Sequence, residues 1–293
     1  MQTLPDTFCV FILTHGRPDN VITFDTLNRR GYTGRLYFVV DNEDKTVNRY
    51  RHNFGAENVI VFDKKAIADA GDEGNNFDDR RCIVHARNAC FAIAEQLGVT
   101  HFLELDDDYT AFDFRVVVDD KGLVKPTKDL DAVLCKCLSF YETVPVATIA
   151  FAQGGDFLGG IDNGKSAYRF SRRKCMNTFF CSTERPFRFL GSINEDVNTY
   201  TTLGSRGELF LTVPVFSITQ KQTQGQSGGM TAIYQDNGTY LKSFSTVIMM
   251  PSAVSVSMMS TKHQRLHHKI SWAQCVPCIV PERYKVTAPP APQ

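Results

Sequence analysis

The sequence predicts an α/β protein with a mostly parallel β-sheet flanked by helices and a mixed, β-rich C-terminal part. Apolar runs at residues 8–13, 35–40 and 58–62 have the length and continuity of strands that are buried on both faces. Segments of helical length separate these runs, and strand–helix alternation is typical of a parallel sheet covered by helices. Further β-rich runs at residues 208–219 and 247–259 predict the C-terminal part.

The composition allows one large folded domain. The chain has 293 residues, of which 43% are apolar, so it can bury a substantial core. We interpret residues 1–285 as this domain and residues 286–293, with three prolines, as a disordered tail. Residues 1–150 hold 17 Lys and Arg against 24 Asp and Glu, whereas residues 151–293 hold 15 against 8. The first half is thus suited to a cation and the second to an anion, unless the asymmetry is a chance sum over loops.

The sequence contains neither a signal-peptide pattern nor an apolar run of membrane-spanning length, so we expect a cytoplasmic protein. Its nine cysteines lie mostly in apolar or helical segments, as free buried thiols do. Cys275 and Cys278 form a lone CxxC without a matching pair, which does not favour a structural zinc site.

The ends of the first two strands carry candidate ligand-binding residues. The first run is followed by Thr14, His15, Gly16, Arg17 and Pro18, with Pro18 suited to the start of a helix. The second run ends at Asp41. Because parallel sheets bind nucleotides at the carboxyl ends of their strands, Thr14, Gly16, Arg17 and Asp41 are candidate contacts.

Two segments precede the fourth strand. Residues 64–76 are rich in Gly, Asp and Ala without periodicity, and they predict a mobile loop. Residues 78–97 predict a long helix with an apolar stripe at helical spacing. Arg80, Arg87 and Asn88 lie off that stripe, where they either contact a diphosphate or sugar or are ordinary solvated helix residues.

Three adjacent aspartates, Asp106, Asp107 and Asp108, follow the apolar strand predicted at residues 99–105. Like charges this close repel one another unless a cation lies among them, and carboxylate oxygens suit Mg²⁺ or Mn²⁺. Such ions commonly bridge carboxylates to substrate phosphates. The alternative is a solvated acidic turn or a helix N-cap.

Beyond a predicted hairpin at residues 112–124, a helix at 129–143 and a strand at 145–152, the chain becomes basic and aromatic. Between residues 165 and 188, a single Glu184 stands against seven cations: Lys165, Arg169, Arg172, Arg173, Lys174, Arg185 and Arg188. The interleaved aromatic residues are Tyr168, Phe170, Phe179, Phe180, Phe187 and Phe189. Cations follow phosphates and aromatic faces stack on unpaired bases, which predicts a nucleic-acid patch. A strand pair with a solvated basic face is the alternative.

A second acidic pair, Glu195 and Asp196, begins a helix predicted to reach Gly204, with Ser192 or Asn194 as its N-cap. Carboxylates are common in a first helical turn for dipole reasons alone. Together with the aspartate triplet, however, the pair resembles a two-part catalytic centre. One part would hold an activated phosphate ester, and the other would accept a proton.

The C-terminal part adds a polar loop at residues 220–229 that is suited to folding over a substrate. Residues 262–269 are basic and rich in histidine. His268 is suited to complete the shell of a cation, and Lys269 to neutralise a leaving diphosphate. A solvated polar turn is the alternative.

With these residues in order, the chain resembles the GT-A class of nucleotide-sugar glycosyltransferases over residues 8–285. It is most similar to the phage branch described as TET/JBP-associated glycosyltransferases, which are thought to add sugars to 5-hydroxymethylcytosine in DNA. The HARN stretch at 85–88, the INED stretch at 193–196 and the HHKISW stretch at 267–272 carry this branch-level resemblance. The aspartate triplet and the long basic insertion at 154–191 depart from the pattern.

The resemblance implies a GT-A-like fold with a nucleotide-sugar-binding half at residues 1–152 and an acceptor-binding half at residues 153–285. It implies Mn²⁺ or Mg²⁺ on Asp108 and Asp106, with His268 in the shell. Donor contacts, to a UDP-sugar in expectation, would come from Thr14, Gly16, Arg17, Asp41, Arg80, Arg87, Asn88, Asp106, Asp107, His268 and Lys269.

The resemblance also implies that Asp196, or else Glu195, deprotonates the acceptor hydroxyl in an inverting mechanism, although retaining chemistry stays open. The acceptor would be DNA containing 5-hydroxymethylcytosine, contacted by the seven cations of residues 165–188, in the host cytoplasm if the protein is phage-encoded. Two alternatives remain: a glycosyltransferase for a glycan or protein acceptor, and a non-catalytic nucleic-acid-binding module on the same fold.

Overall fold

The computed structural model describes residues 3–74, 79–118, 121–153, 170–221, 231–259 and 264–279. The strands are β1 Phe8–Leu13, β2 Arg35–Asp41, β3 Val59–Phe62, β4 His101–Asp106, β5 Tyr109–Val118, β6 Lys121–Pro126, β7 Thr148–Ala152, β8 Phe179–Ser182, β9 Phe210–Gln220, β10 Val254–Met259 and β11 Arg265–Ile270. The helices are α1 Ile22–Arg29, α2 Val47–Phe54, α3 Lys64–Asp69, α4 Val84–Gln96, α5 Leu130–Thr143, α6 Glu195–Ser205, α7 Thr231–Met249 and α8 Trp272–Cys275.

Nine strands form one sheet in the order β3-β2-β1-β4-β8-β7-β9-β5-β6. The first four strands are parallel to one another, and the register of β1 on β4 places Leu13 beside Asp106. β2 and β3 lie on one side of β1 and β4 lies on the other, so the direction in which strands are added reverses between β1 and β4. The crevice outside the carboxyl ends of two such strands is where open α/β sheets bind ligands.

The second half of the sheet is mixed. β8 is antiparallel to β4 and to β7, β7 is parallel to β9, and the β5–β6 hairpin is antiparallel to β9. A separate two-stranded sheet pairs β10 with β11. The predicted α/β fold, with a helix-covered sheet and a mixed C-terminal part, is therefore confirmed.

Strand β1 is buried on both faces, which explains its continuous apolar sequence. Phe8, Val10 and Ile12 pack into one core cluster, together with side chains of α1 and α5. Cys9, Phe11 and Leu13 pack into the other, together with side chains of α4 and α6. In the described part of the chain, no helix is long and apolar enough to cross a membrane.

Several predicted elements differ from the structure. Residues 64–69 form helix α3 rather than a loop, because the Asp63 side chain accepts a hydrogen bond from the Ala66 N–H at 3.0 Å and caps the helix. The helix predicted from residue 78 begins at Val84, and α1 begins at Ile22 rather than at Pro18.

The C-terminal part contains the largest error. Residues 247–249, predicted as strand, end helix α7, and residues 265–270, interpreted as a possible turn, form strand β11. Helix α7 is rich in Thr, Ile, Tyr and Phe, which favour strands locally, so its packing on β10, β11 and α6 decides its conformation. The tail at 286–293, Lys165, Arg169 and most of the predicted loop at 220–229 lie outside the described residues.

A candidate active site at the carboxyl ends of strands β1 and β4

The turn after β1 is tied to the aspartate triplet after β4. The register of β1 on β4 ends with Leu13 beside Asp106, and in the residues that follow, the Thr14 Oγ1 donates to Asp107 Oδ2 at 2.8 Å. The Arg17 guanidinium donates to Asp107 Oδ1 at 3.0 Å. The Tyr50 hydroxyl accepts from the Arg17 N–H and bonds the Thr14 hydroxyl, both at 2.8 Å. Both carboxylate oxygens of Asp107 therefore accept hydrogen bonds from the turn after β1.

Thr23, buried at the start of α1, fixes the backbone of the triplet. Its hydroxyl donates to the Asp106 carbonyl at 2.5 Å and accepts from the Tyr109 N–H at 2.9 Å, while its N–H donates to the Asp107 carbonyl at 3.1 Å. These bonds set the direction in which each aspartate side chain leaves the turn. Sequence reasoning missed Thr23 because it looks like an ordinary helix residue.

Arg87 on α4 joins the two acidic regions. Its guanidinium lies 2.9 Å from Asp106, 3.1 Å from Glu195 and 3.5 Å from Glu104, and it stacks 4.8 Å from the centre of the Phe179 ring. The side chain is buried. The interpretation of Arg87 as a solvated helix residue is therefore wrong, whereas its contact with a diphosphate or sugar stays a prediction. Arg87 links the end of β4 to the start of α6.

One guanidinium does not balance three carboxylates, and protons compensate for the difference. Burial raises the pKa of Glu104 to about 8, against the effect of Arg87. Burial and the Asp196 charge raise the pKa of Glu195 to about 7. Burial also raises the pKa of Asp106. The cluster thus holds at least one proton near neutral pH, and Glu195 is the member of the acidic pair that is bound by Arg87.

Asp108 is the member of the triplet with an unsatisfied carboxylate oxygen. Its Oδ1 is buried and has no hydrogen-bond partner among the residues that the structure describes. Burial, with the Asp106 and Asp107 charges, raises the pKa of this carboxyl to about 7. A buried oxygen left unbonded costs free energy unless a ligand or ion binds it. This orphaned oxygen fits a hard cation.

Asp196 lies in the first turn of α6. Its Oδ1 accepts from the Val197 N–H at 2.7 Å, and burial raises its pKa while Arg87 and Lys174 oppose that shift. Asn194 is at the N-cap position with φ 56°, but its side chain does not cap the helix. Instead its amide donates to the Lys242 carbonyl of α7 at 2.6 Å. The predicted N-cap position of Asn194 is therefore confirmed, but its side chain does not cap the helix.

The loop before α6 is held by Glu73 and Asn88. Glu73 is buried, and its carboxylate accepts from the Gly191 N–H and from Arg188, both at 2.6 Å. The Asn88 amide makes two bonds with the Phe189 backbone, at 2.8 and 3.1 Å. Asn88 thus positions this loop, and its predicted sugar contact is untested. Glu73 was missed because its segment was interpreted as a mobile loop.

Asp41 lies in a polar pocket at the end of β2. It accepts from His15 Nδ1 at 2.6 Å and lies 3.5 Å from Lys64 Nζ. The hydrogen bond to Asp41 raises the pKa of His15, whose side chain is half-exposed. His15 and Lys64 join the candidate donor contacts.

Nearby, the Gly16 N–H donates to Asp44 at 2.7 Å, and Arg80 is paired with Glu43 at 2.6 Å. His15, like Thr14 and Asp41, follows the end of a predicted strand, so the sequence could have identified it. No feature of the neighbouring sequence distinguishes Lys64.

Much of the predicted nucleic-acid patch is internal. Arg185 donates to the carbonyls of Tyr141, Val144 and Val146 at 2.8–3.1 Å, and Arg188 is bound to Glu73. Phe179, Phe180 and Phe189 are buried in the core. The interpretation of these aromatic residues as base-stacking groups is therefore wrong, since they pack the sheet and Arg87. Arg172 is exposed, while Arg173 and Lys174 are partly buried.

His268 is buried on β11, and neither ring nitrogen has a hydrogen-bond partner within the described segments. Burial, with the charges of Lys174, His267 and Lys242, lowers its pKa to about 3, so the imidazole is neutral. Lys269 beside it is exposed. Among the residues described, no three His, Cys, Asp or Glu side chains form a metal-binding group. The predicted set of Asp106, Asp108 and His268 is therefore not assembled in this conformation.

Residues 8–229 match the model of the TET-associated glycosyltransferase family. The match covers most of the chain, so the protein belongs to this family of glycosyltransferases, and the resemblance drawn from its motifs is confirmed. No curated protein matches the chain at a significant level.

Two solved structures are among those to which the chain is similar. Glucosyl-3-phosphoglycerate synthase from Mycobacterium tuberculosis, in complex with Mn²⁺, UDP and phosphoglyceric acid, has a TM-score of 0.43 and 9% identity over 93% of this chain and 88% of that chain. Mannosyltransferase PcManGT from Pyrobaculum calidifontis, in complex with GDP-Man and Mn²⁺, has a TM-score of 0.48 and 14% identity over 84% of this chain and 66% of that chain.

Proposed function

We propose that the protein transfers a sugar from a nucleotide-sugar donor, in a metal-dependent reaction, to the hydroxymethyl group of 5-hydroxymethylcytosine in DNA. The observation that carries the proposal is the ion-pair network of Arg87, which joins Asp106 at the β4 end to Glu195 at the α6 start. A donor-side carboxylate and a candidate base therefore share one site at the strand ends. Membership of the TET-associated family supports a modified DNA base as the acceptor.

On the donor side, Asp108 and Asp106 would hold Mn²⁺ or Mg²⁺. The ion would supply positive charge against the leaving diphosphate. Asp108 supports this role because its Oδ1 is buried without a partner. Since such ions take few protein carboxylates, donor phosphates and water would complete the shell.

The polar pocket around Asp41 supports the nucleoside end of the donor. His15 is half-exposed and hydrogen-bonded to Asp41, and Arg17, two residues further along the chain, is paired with Asp107. The exposed Lys269 would form an ion pair with the diphosphate of the donor.

On the acceptor side, Asp196 is the better base of the pair, because Glu195 is bound by Arg87 whereas Asp196 accepts only a backbone hydrogen bond in the described structure. Asp196 would take the proton of the hydroxymethyl group as its oxygen bonds to the anomeric carbon. The bond from that carbon to the diphosphate oxygen breaks in the same step. General base catalysis of this kind contributes about 10²–10⁴-fold. A base in duplex DNA must be extruded or read from a groove to reach it.

The test is mass spectrometry of DNA containing 5-hydroxymethylcytosine after incubation with a panel of nucleotide sugars and Mn²⁺. We expect the mass of the modified DNA to increase by that of the transferred sugar. We expect no increase for unmodified DNA, or for modified DNA with the Asp108→Asn or Asp196→Asn variant. Glu142→Gln, an exposed carboxylate on α5, is the matched control and should retain full activity. Transfer that survives complete chelation of divalent metal, or that prefers a glycan or protein acceptor, would refute the proposal. DNA binding without any transfer would favour a non-catalytic module.

A further inference from the structure

A cluster of basic side chains forms where β11 meets the segment before β8. The Lys174 ammonium donates to His267 Nε2 at 3.3 Å, and the ring centroids of His267 and His268 are 4.2 Å apart. Lys242 of α7 belongs to the same cluster, because its charge, after burial and the charges of Lys174 and His267, lowers the pKa of His268. Three separate parts of the chain thus bring basic groups to one place.

His268 gives this cluster two unsatisfied polar atoms. The residue is 6% exposed, and neither of its ring nitrogens has a hydrogen-bond partner in the part of the chain that the structure describes. A buried polar atom without a partner costs free energy, which a bound ligand can recover. A neutral imidazole carries one N–H, so His268 is suited to donate to an oxygen of such a ligand.

The charges around His268 decide which ligand fits. The groups whose charges act on its ring are Lys174, His267 and Lys242, and no carboxylate among the described residues joins them. Two ammonium groups repel a metal cation and attract an anion. Lys174 and His267 are close enough to donate to oxygens of one phosphate, since Nε2 of a histidine donates in its other tautomer.

The backbone on both sides of the cluster is fixed. The Thr212 hydroxyl of β9 donates to the Lys174 carbonyl at 2.8 Å. The two histidines lie on β11, which pairs along its whole length with β10. Groups on such elements are in position before a ligand arrives, and this lowers the entropic cost of binding.

Helix α7 connects the cluster to the start of α6. The Asn194 amide, at the N-cap of α6, donates to the Lys242 carbonyl at 2.6 Å and to the Thr246 hydroxyl at 3.2 Å. The Ser243 hydroxyl donates to the Leu266 carbonyl of β11 at 3.1 Å. One turn of α7 therefore bonds both β11 and the N-cap of the helix that carries the candidate base.

The charges at the two acidic regions place the cluster on the acceptor side. Burial raises the pKa of Asp196, and Arg87 and Lys174 lower it. Burial also raises the pKa of Asp108, but the cation that opposes that shift is Arg17. The Lys174 charge thus acts on the candidate base, whereas Arg17 acts on the proposed metal ligand.

We propose that Lys174, His267 and His268 form a phosphate-binding subsite, which takes the phosphodiester next to the target base of the acceptor DNA. This rests on the proposed function, in which Asp196 is the base on the acceptor side. A target base that reaches Asp196 brings its own backbone phosphate with it, and phosphate contacts position proteins on DNA. The donor diphosphate is the other source of such a group, and the connection of the cluster to α6 favours the DNA.

The test is the salt dependence of DNA binding, measured without sugar donor by fluorescence anisotropy of a duplex that contains 5-hydroxymethylcytosine. We expect Lys174→Met to weaken binding about tenfold, because a charge-assisted hydrogen bond is lost. The slope of log Kd against log salt should fall by about 1, as it does when one phosphate contact is removed. Lys174→Arg keeps the charge and should retain the slope. Lys136→Met, which removes an exposed lysine of α5, is the matched control and should also retain it.

His267→Phe keeps a ring but removes its nitrogens, and we expect it to weaken DNA binding as well. This variant tests the subsite independently if Lys174→Met does not fold. Unchanged DNA affinity and an unchanged salt slope in folded Lys174→Met and His267→Phe proteins would overturn the proposal. A wild-type protein that binds no DNA would also overturn it.

A second measurement separates the sources of phosphate. Titration of UDP with Mn²⁺, in the absence of DNA, should give the same affinity for Lys174→Met as for the wild type. Weaker UDP binding with unchanged DNA affinity would assign the cluster to the donor diphosphate and overturn the proposal. So would a shifted pH profile of turnover with an unchanged salt slope, since Lys174 would then only keep Asp196 ionised. DNA binding does not require sugar transfer, so the subsite and the proposed function can fail separately.

Discussion

The two acidic regions of the candidate active site contain similar side chains in different environments. After β4, Asp106 is bound by Arg87, Asp107 by Thr14 and Arg17, and Asp108 retains a buried oxygen without a partner. At the start of α6, Glu195 is bound by Arg87, and Asp196 accepts, from the described residues, only the Val197 N–H. Each region thus combines carboxylates that hold the site together with one that is available for chemistry.

Adjacent acidic residues are therefore not interchangeable, because their roles depend on which partner the fold brings to each. Arg87 is paired with Asp106 in one region and with Glu195 in the other. Substitution of Glu195 should therefore affect mainly stability, and substitution of Asp108 or Asp196 mainly turnover. Asp106 is both paired with Arg87 and a proposed metal ligand, so its substitution should affect both.

The largest effect should come from Asp196→Asn. We expect kcat to fall by about 10²–10⁴-fold, since the amide cannot take the acceptor proton, with donor affinity unchanged. Steady-state kinetics on modified DNA and donor titration would measure this. Glu195→Gln is the comparison variant and should lose less turnover. An equal loss in the two variants would mean that the pair acts as one unit.

The next largest effect should come from Arg87→Met, which leaves buried carboxylates without their counter-charge. We expect the free energy of unfolding at pH 8 to fall by about 3–5 kcal/mol in urea denaturation. At pH 5 the loss should be smaller, because the raised pKa values of Glu104 and Glu195 let both residues bind protons. An equal loss at both pH values would contradict the assigned network.

Glu73→Ala should show how much the loop before α6 contributes to stability and to turnover. The substitution leaves the Gly191 N–H and Arg188 without their acceptor, so we expect a stability loss of about 1–3 kcal/mol and a reduced kcat. Asp69→Ala breaks only an exposed pair with Lys65 and should be nearly neutral. Thermal unfolding and turnover should be measured for both. A Glu73→Ala protein as stable as the Asp69→Ala protein would remove Glu73 from the site.

The smallest effect concerns pH. Burial raises the pKa of Glu195 from 4.5 to about 7, so the folded state binds this proton more tightly than the unfolded chain. Its stabilising contribution is present below pH 4.5 and is lost as the pH rises through 7. Glu195→Gln should reduce the fall in unfolding free energy between pH 4.5 and 8, because the amide does not titrate. Urea denaturation with chelator would measure it, and an unchanged slope would exclude a proton on Glu195.

The two basic and aromatic regions show where composition misleads. Residues 165–188 and 237–281 both combine cations with aromatic rings. In the first, Phe179 and Phe180 pack in the core, whereas in the second Tyr240 and Phe244 are exposed. Strand or helix periodicity does not reveal which face of an element its neighbours cover, so only the packing separates these cases.

The sequence by itself determined the strand ends that carry Thr14, Asp41 and the aspartate triplet, because a continuous apolar run followed by polar residues has few other solutions in an α/β protein. It also identified both acidic regions and the glycosyltransferase resemblance. Only the tertiary structure decided that Arg87 joins Glu104, Asp106 and Glu195, the last of them 108 positions away along the chain. Such contacts arise when α4 and α6 pack on one face of the sheet, and no local pattern encodes that packing.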